Sequence, residues 1–433
     1  MAAVPAPFTA LAAREERLLL RILSAVQFTH IMDFMIMMPL GARLMQYFGI
    51  TPAQFTWLVA SYAMAAALAG FAAGFVLDRF DRKNALLWLY GGFAVATLGC
   101  ALAPNFHTLL VARFAAGAFG GVAGSVVTAM VGDVVPPERR GRAMATVMAA
   151  FPLASVLGVP TGLWLAGMLE WHAPFFLLAL LSGIVWPLAL RALPHVPSHR
   201  SNDHPLRRMG AILRPAVHQR ALALGAMLVF AGGIILPFMA PSLEMNLGVP
   251  QNQITLVYMA GGACTFFTMP LMGRLSDRYD KLYVLLGASI LAAISVTIVT
   301  RLDSVPLPLI LVCTTLLFAG MSARFAPAMA MITNAVDPGL RGGFMSVNAS
   351  LQQAASGFAN LVAGLIVTTD AAGRLNGYGR AGAVSLGGFV LTVWLAARLR
   401  ALAPHAAHTP SSVRVPHAAP PAAAPAADRV VPK

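Results

Sequence analysis

Apolar residues run along this chain in twelve long blocks, each separated from the next by a polar turn or loop. Each block holds about 20 residues or more, enough for an α-helix to cross a hydrocarbon core about 30 Å thick. The pattern therefore predicts an all-α membrane protein with twelve transmembrane helices, named spans 1 to 12 in chain order. Their predicted limits are 18–40, 53–76, 84–103, 107–131, 142–168, 172–191, 220–241, 252–274, 281–300, 306–334, 342–368 and 378–398.

Composition agrees with this class, because 58% of the residues are hydrophobic and only 11% are charged. Soluble domains carry roughly 25% charged residues. The formal charge of +14 could suggest a nucleic-acid partner. The basic residues lie in short turns rather than on one amphipathic face, however, so we expect no nucleic-acid binding. Cys100, Cys264 and Cys313 all lie in apolar blocks and predict neither a disulfide framework nor a metal site.

Basic residues are distributed unevenly between the two sides of the predicted membrane region. Turns after odd-numbered spans carry Arg43, Arg301, Arg374 and Arg380. Turns after even-numbered spans carry Arg79, Arg82, Lys83, Arg139, Arg140, Arg142, Arg274, Arg278, Lys281 and Arg341. Because basic loops stay in the cytoplasm, we expect a multi-pass protein of the plasma (inner) membrane with both termini cytoplasmic.

The longest internal loop divides the spans into six and six. The predicted organisation is a cytoplasmic N-terminus (1–17), an N-terminal six-helix bundle (18–191), a cytoplasmic linker (192–219), a C-terminal six-helix bundle (220–400) and a cytoplasmic tail (401–433). The tail consists largely of Ala, Pro and His without a periodic apolar face, so we expect it to be disordered.

Two sequence motifs occur once in each half. The pattern G-x-x-x-D-R-x-D-basic begins at Gly74 and again at Gly273, and its aspartates are 277 minus 78, or 199, residues apart. A second echo joins residues 137–141 to 338–342 with an offset of 341 minus 140, or 201. Two matched motifs at nearly one offset predict a duplicated six-helix unit, with two pseudo-symmetric bundles around a central cavity.

The repeated motif also predicts a charge cluster at the helix ends on the basic side. Asp78 and Asp277 can accept hydrogen bonds from a neighbouring helix N-terminus and from guanidinium groups. Such a cluster can latch one conformation, although a basic loop that only fixes topology is the alternative. The predicted latch residues are Gly74, Asp78, Arg79, Arg82, Asp133, Gly273, Asp277 and Arg278. For Asp133 a solvated helix end is the competing interpretation.

The doubled motif and the six-plus-six layout resemble the major facilitator superfamily of secondary transporters over nearly the whole chain. Residues 113–117, Arg-Phe-Ala-Ala-Gly, resemble that family's R-x-x-x-G motif, and residues 158–162, Gly-Val-Pro-Thr-Gly, resemble the antiporter motif of its drug:proton antiporter branch. The chain departs from the family pattern at Asp81 and Asp280, where glycine is common, and at Pro160, which lies one place late. The resemblance implies alternating access driven by a proton gradient, without a cofactor, in a monomer.

The span 5 motif has a physical interpretation of its own. Gly158 and Gly162 allow neighbouring helices to approach closely, and Pro160 favours a local bend. Ordinary tight packing explains the same residues without any role in transport.

Asp33 is the only acidic residue well inside an apolar block. A carboxylate at that depth is costly and normally serves a function. Asp33 lies seven residues from Leu40, the outer end of span 1, and Arg113 lies six residues from His107, the outer start of span 4. These distances correspond to about 10 and 9 Å, so the two should meet. We predict that Asp33 takes and releases the transported proton and that Arg113 tunes its proton affinity and replaces the proton as its partner.

Other polar residues in the spans are candidates for the cavity. Gln27, His30 and Asp33 follow at steps of three and form one stripe of span 1. His30 could relay a proton or contact substrate as a neutral histidine. Arg324 could bind an anionic substrate group or backbone carbonyls, or could be a structural arginine that reaches the surface. The predicted proton-coupling residues are Asp33, Arg113 and His30, and the predicted substrate-cavity residues are Gln27, Met37 and Arg324.

These features favour a transporter over other classes. We find no nucleophile, metal cluster or paired carboxylates typical of an enzyme, and no G-x-x-x-x-G-K-[ST] motif for ATP. A channel or a sensor would share the topology, but duplicated latch motifs suit alternating access better. The methionines around Asp33 suit varied apolar molecules. We therefore predict proton-coupled efflux of a drug or metabolite, with proton-coupled uptake of a nutrient as the alternative.

Overall fold

The computed structural model describes residues 13–76, 80–196, 205–303 and 305–407, and most of them are helical. The helices of the N-terminal half are α1 (Ala13–Ile36), α2 (Gly41–Phe48), α3 (Pro52–Val76), α4 (Arg82–Ala101), α5 (Phe106–Val134), α6 (Pro137–Met148), α7 (Ala150–Leu153), a π-helical turn (Ala154–Gly158), α8 (Val159–Met168) and α9 (Ala173–Ala192).

The C-terminal half continues with ten helices and one small β-hairpin among the described residues. They are α10 (Pro205–Leu213), α11 (Ala216–Gly233), α12 (Leu236–Met245), α13 (Gln251–Arg278), α14 (Lys281–Val299), α15 (Leu307–Ala323), α16 (Phe325–Asn334), α17 (Arg341–Ile366), β1 (Thr368–Thr369), β2 (Leu375–Asn376), α18 (Tyr378–Leu402) and α19 (Pro404–Ala407). The strands pair antiparallel, with Thr368 opposite Asn376.

The predicted class of twelve long helices in two six-helix halves is confirmed. Eleven segments of the described chain are long and apolar enough to cross a membrane. Span 11 corresponds to α17, which has 26 residues and carries several amide and hydroxyl side chains. It packs along α3 of the other half through small residues: a Cβ added at Gly70 would lie 2.9 Å from Ser350 Oγ, and one at Gly357 would lie 2.7 Å from Met64 Cγ. Close approach at glycines is typical of helix pairs in membranes.

Four predicted spans are interrupted helices rather than continuous ones. Span 1 breaks between α1 and α2, span 5 contains the π turn, span 7 breaks between α11 and α12, and span 10 breaks between α15 and α16. A proline lies within or shortly after each interruption, and proline has no N–H for the carbonyl four residues earlier. The four prolines are Pro39, Pro160, Pro237 and Pro327.

Buried apolar residues show which end of the molecule is closed. One cluster joins both halves at the end opposite the basic loops and includes Phe55 and Leu58 with Phe238 and Leu243. At the basic end, the cluster of residues 19–196 belongs to the N-terminal half and the cluster of residues 212–407 belongs to the C-terminal half. The halves are therefore packed together most extensively at the end opposite the basic loops.

Contacts across that closed end are tight. A Cβ added at Gly41, where α2 begins, would lie 2.7 Å from both Phe55 Cζ and Pro241 Cγ. The rings of Phe55 and Phe238 meet edge to face with centroids 6.1 Å apart. Asn246, at the end of α12, donates to the Leu375 carbonyl at 2.9 Å and accepts from the Leu375 N–H at 2.7 Å, which holds the hairpin against span 7.

The predicted linker and tail are described only in part. Residues 197–204 and the tail from residue 408 lie outside the described residues. Helix α10 lies within the predicted linker, and α11 begins at Ala216, four residues before the predicted start of the second bundle. The last long helix continues to Leu402, and the short helix Pro404–Ala407 follows it, so helical structure extends past residue 400.

Candidate functional site

Asp33 and Arg113 form a buried ion pair between α1 and α5. Arg113 Nη1 lies 2.6 Å from Asp33 Oδ2, and both side chains are fully buried. The same nitrogen donates to the backbone carbonyl of Asp33 at 3.2 Å. The predicted pairing is therefore present in the structure, while its role in proton coupling stays a prediction.

The R-x-x-x-G pattern explains how Arg113 is held. Gly117 lies one turn after Arg113 on the same face of α5, and its Cα packs directly against the Tyr62 backbone of α3, where a Cβ would overlap it. This close approach places the Tyr62 ring beneath the guanidinium, with Arg113 Cζ 4.6 Å from the ring centroid. Phe34 packs on Tyr62, with ring centroids 5.5 Å apart.

The pair is fully buried, and most of the residues packed around it are apolar. Asp33 Oδ1 has no hydrogen-bond partner among the described residues. Removing one member of such a pair leaves an uncompensated buried charge, which costs about 3–5 kcal/mol. Protonation of Asp33 removes the carboxylate charge and leaves the buried guanidinium with the Tyr62 ring and the Asp33 backbone carbonyl as its remaining contacts. A site of this kind can therefore convert the arrival of a proton into a change in helix contacts.

His30 and Gln27 lie about one and two turns before Asp33 on α1 and also pack on α5. The Tyr62 hydroxyl donates to the His30 carbonyl at 3.3 Å and lies 3.5 Å from His30 Nδ1. A Cβ added at Gly124 of α5 would lie 2.8 Å from His30 Nε2 and 3.4 Å from Gln27 Oε1. Neither of those atoms has a hydrogen-bond partner within the described part of the chain. The polar stripe of span 1 thus packs on α5.

The span 5 residues pack closely on span 1, as predicted. A Cβ added at Gly158 would lie 3.0 Å from Met32 Sδ, and one at Gly162 would lie 2.6 Å from Ile36 Cδ1. The π turn Ala154–Gly158 supplies the local irregularity before Pro160. Close packing and a local distortion are confirmed; a role in antiport stays a prediction.

Met37 does not line an open space in this conformation. It is fully buried in the apolar cluster at the closed end. Residues 37–40 form the turn between α1 and α2. A contact between Met37 and substrate would require that end to open.

The N-terminal part of the predicted latch is partly described. Arg82 Nε lies 3.1 Å from Asp133 Oδ2, which joins the start of α4 to the end of α5. Gly74 is exposed, and a Cβ there would meet nothing within 4 Å. Asp78 and Arg79 lie outside the described residues.

In the C-terminal motif, a different aspartate makes the contacts that were predicted for Asp277. Asp277 and Arg278 are exposed and form no ion pair among the described residues, and Gly273 has no close neighbour. Asp280 instead caps α14 by accepting from the Leu282 N–H at 2.9 Å and pairs with Arg400 at 2.9 Å.

The equivalent Asp81 caps α4 by accepting from the Asn84 N–H at 3.0 Å. An aspartate immediately before a helix is well placed as an N-cap, whereas one inside the last turn of the preceding helix is not. In this conformation Asp280, and not Asp277, accepts from the N-terminus of the following helix and pairs with an arginine, while a role of Asp277 in a latch stays a prediction.

Arg324 is the second fully buried arginine, with 1% of its surface exposed. Its Cζ lies 4.3 Å from the Phe389 ring centroid, and its Nη2 donates to Met321 Sδ at 3.1 Å. No carboxylate of the described residues lies within ion-pairing distance of it, and its Nε and Nη1 have no hydrogen-bond partner there. The alternative of an arginine that reaches the surface does not fit this burial.

Several residues of the two sites were not found by sequence reasoning. Tyr62 and Phe389 are uncharged residues inside apolar blocks, and nothing in their immediate sequence marks them. Asp280 was noticed only as a departure from the family pattern. Its position directly before a helix was a signal for a capping residue.

Comparisons with known proteins agree with this architecture. A profile described as Major Facilitator Superfamily matches residues 23–228 and again residues 221–427. The uncharacterized MFS-type transporter YceJ of Bacillus subtilis is 32% identical over 164 residues, which is 38% of this chain and 42% of that protein. A chloramphenicol resistance protein of Streptomyces lividans is 28% identical over 259 residues, or 59% of this chain and 64% of that protein.

Among solved structures, that of a D-xylose-proton symporter matches with a TM-score of 0.72 and 14% identity. The match covers 91% of this chain and 99% of the symporter chain, and it shows a shared fold. The aligned part of this chain spans less than two thirds of the length of both curated relatives.

Proposed function

The chain belongs to the major facilitator superfamily of secondary transporters, and we propose that it exports a small organic molecule in exchange for protons. The observation that carries the proposal is the buried ion pair of Asp33 and Arg113. A charged pair in a membrane span is costly to maintain and marks a functional site. In this proposal Asp33 is the proton carrier, and Arg113 takes the place of the proton when Asp33 is ionised.

The proposed cycle follows from what the pair holds together. With Asp33 ionised, the ion pair ties α1 to α5, close to the cluster that closes the end opposite the basic loops. Protonation of Asp33 releases Arg113 to the Tyr62 ring, which is already in cation–π contact with it. The loosened α1 can then separate α2 from α12 and open that end. His30, whose Nδ1 lies 3.5 Å from the Tyr62 hydroxyl, is the proposed next proton site.

Two observations support the outward direction. Residues 158–162 resemble the antiporter motif of the drug:proton antiporter branch, and Gly158 and Gly162 pack closely on span 1, the helix that carries Asp33. The second observation is that the Streptomyces lividans relative is a chloramphenicol resistance protein. We further propose that the basic end is cytoplasmic, that the protein works as a monomer in the plasma (inner) membrane, and that Gln27, Met37 and Arg324 contact the substrate.

Inside-out membrane vesicles test this proposal. Respiration acidifies their interior, and a pH-sensitive dye reports the gradient. We expect at least one compound of a panel containing benzoate, chloramphenicol, tetraphenylphosphonium and arabinose to dissipate the gradient with the wild-type protein. Asp33→Asn should abolish this response. Asp303→Asn, which removes an exposed carboxylate from the turn between α14 and α15, is the matched control and should respond like wild type.

Two results would contradict parts of the proposal. An undiminished response in Asp33→Asn would remove Asp33 as the proton site. Accumulation of a compound only in right-side-out vesicles with an acidic exterior would establish uptake and overturn the direction of transport.

A further inference from the structure

Two interrupted helices of the C-terminal half meet at Arg324. Span 7 breaks after Gly233, and span 10 breaks after Ala323. A Cβ added at Gly232 would lie 3.4 Å from Arg324 Nη2, so the guanidinium lies directly against the end of α11. Broken helices that meet in the middle of the membrane are characteristic of binding sites in transporters.

The guanidinium at this junction is largely unsatisfied. Two of its three nitrogens, Nε and Nη1, have no hydrogen-bond partner among the described residues. The third donates only to the thioether of Met321, which is a weak acceptor. The Phe389 ring is the main compensation for its charge. A buried cation normally has a carboxylate partner, as Arg113 has, because desolvation costs several kcal/mol per ion.

The nearby backbone carbonyls already have partners. Ser385 Oγ donates to the Ala231 carbonyl at 2.6 Å, and the Tyr378 hydroxyl donates to the Ile235 carbonyl at 3.1 Å. The Ile235 N–H donates to the Gly232 carbonyl at 3.1 Å. These contacts satisfy the carbonyl end of α11 without Arg324, so a backbone carbonyl cluster is not the partner of the guanidinium here.

Two helices restart at the junction, beside the carbonyl ends of α11 and α15. Helix α12 begins at Leu236 and α16 begins at Phe325, immediately after Arg324. Both helices have ten residues, and neither has a side-chain hydrogen bond at its N-cap. Helix N-termini carry a partial positive charge and bind anions through free N–H groups.

We propose that this junction binds the anionic group of the transported molecule, so that the substrates are small organic anions carrying a carboxylate or a similar oxyanion. The anion would bind to Arg324 and the start of α16, and Met321 and Phe389 would contact its apolar part. This inference rests on the proposed transport function, because it assigns the substrate class of the same transporter. The two arginines then have separate tasks, with Arg113 facing the proton site and Arg324 facing the ligand.

The test uses purified full-length protein in phosphatidylcholine nanodiscs, which contain no anionic lipid. Benzoate and benzamide serve as probes because they share a ring and differ in charge. We expect benzoate, but not benzamide, to raise the unfolding temperature of the wild type. Arg324→Met should weaken benzoate binding by about 100-fold or more, because the charged donor is lost.

A second pair of variants tests the inference even if Arg324→Met does not fold. Gly232→Asp puts a carboxylate beside Arg324 and should abolish the benzoate effect by occupying the guanidinium internally. Gly232→Ala adds only the Cβ and should keep the effect. Benzoate stabilisation of Gly232→Asp equal to that of Gly232→Ala would overturn the inference.

The outcomes separate this inference from the proposed function. Asp33→Asn should lose proton coupling but keep the benzoate effect. Equal effects of benzoate and benzamide on the wild type, or a benzoate effect that survives Arg324→Met, would overturn the anion site while leaving Asp33 in place. Proton coupling that survives Asp33→Asn would overturn the proton site alone. Anionic lipid that removes the benzoate effect from wild-type nanodiscs would identify a lipid headgroup as the ligand and overturn the substrate assignment.

Discussion

The two halves of the molecule share a duplicated arrangement of helices, but only the N-terminal half pairs its buried arginine with a carboxylate among the described residues. Arg113 of the N-terminal half is paired with Asp33 at 2.6 Å. Arg324 of the C-terminal half is 1% exposed and has no carboxylate partner among the described residues. Each guanidinium lies over one aromatic ring, at 4.6 Å from Tyr62 and 4.3 Å from Phe389. The two arginine sites therefore differ in the carboxylate partner, while both have an aromatic ring in contact with the guanidinium.

The charged residues Asp33 and Arg113 of the N-terminal half are not repeated at the equivalent positions of the C-terminal half. The residues 199 to 201 positions after Asp33 are Gly232, Gly233 and Ile234, and those after Arg113 are Val312, Cys313 and Thr314. None of them is ionisable at neutral pH in an apolar setting. The repeat preserves helix packing, while each half has its own charged residues, and this separation allows one half to handle a proton and the other a ligand.

Loss of the arginine in the N-terminal half should have the largest effect. Arg113→Met leaves Asp33 buried without a partner, and we expect the protein to lose about 3–5 kcal/mol of stability. Thermal unfolding in nanodiscs measures this loss. Adding Asp33→Asn to the same chain should recover most of it, because no lone charge then remains. A single variant as stable as wild type would break the comparison between the halves.

The corresponding change in the C-terminal half should have the opposite sign. Arg324→Met removes an unpaired buried cation and replaces it with a side chain of similar length, so the ligand-free protein should gain about 1–2 kcal/mol of stability. The same unfolding assay applies, without added anions. A loss comparable to that of Arg113→Met would show that Arg324 has a partner in the folded protein.

The aromatic support of Arg324 should matter only while the charge is present. Phe389→Leu should cost about 1–2 kcal/mol, since the ring faces a desolvated guanidinium. In the Arg324→Met background the cost should fall by about half or more. A double-mutant cycle of the unfolding free energies measures this coupling; additive costs would contradict the assigned cation–π contact.

The smallest predicted effects concern the helix ends at the basic side. Asp280→Ala removes both a cap and an ion pair and should cost about 1 kcal/mol. Asp133→Ala should cost less than about 1 kcal/mol, because the carboxylate is 29% exposed and solvent screens its pair with Arg82. Unfolding midpoints compare the two variants directly. A larger loss in Asp133→Ala would reverse the ranking of the two pairs.

The sequence predicted the fold well because the membrane imposes strong rules on length and polarity. Apolar blocks identified the spans, and the offset of about 200 residues between motifs identified the two halves. The meeting of Asp33 and Arg113 followed from counting residues from the predicted span ends, since helix rise converts residue number into depth. The span limits and the depth of the two charged residues both concern position along the membrane normal only.

Features that depend on packing between helices were not predicted. The interruptions at or near Pro39, Pro237 and Pro327 depend on how neighbouring helices satisfy the carbonyls that lose a hydrogen bond to the proline. Many membrane helices contain proline without a break. The contact of Arg324 with the Phe389 ring was not predicted either. Sequence analysis did not identify Asp280 as the residue that caps α14, because the motif does not show where one helix ends and the next begins.

The central claim is that Asp33 carries the transported proton, and proton release on ligand binding tests it most directly. Purified protein in weakly buffered detergent solution is mixed with a compound that dissipates the gradient in vesicles, and the pH is followed. The account predicts release from wild type and from Asp303→Asn, and no release from Asp33→Asn. Release of equal size from Asp33→Asn, with binding of the compound retained, would contradict the account and move the proton to another site.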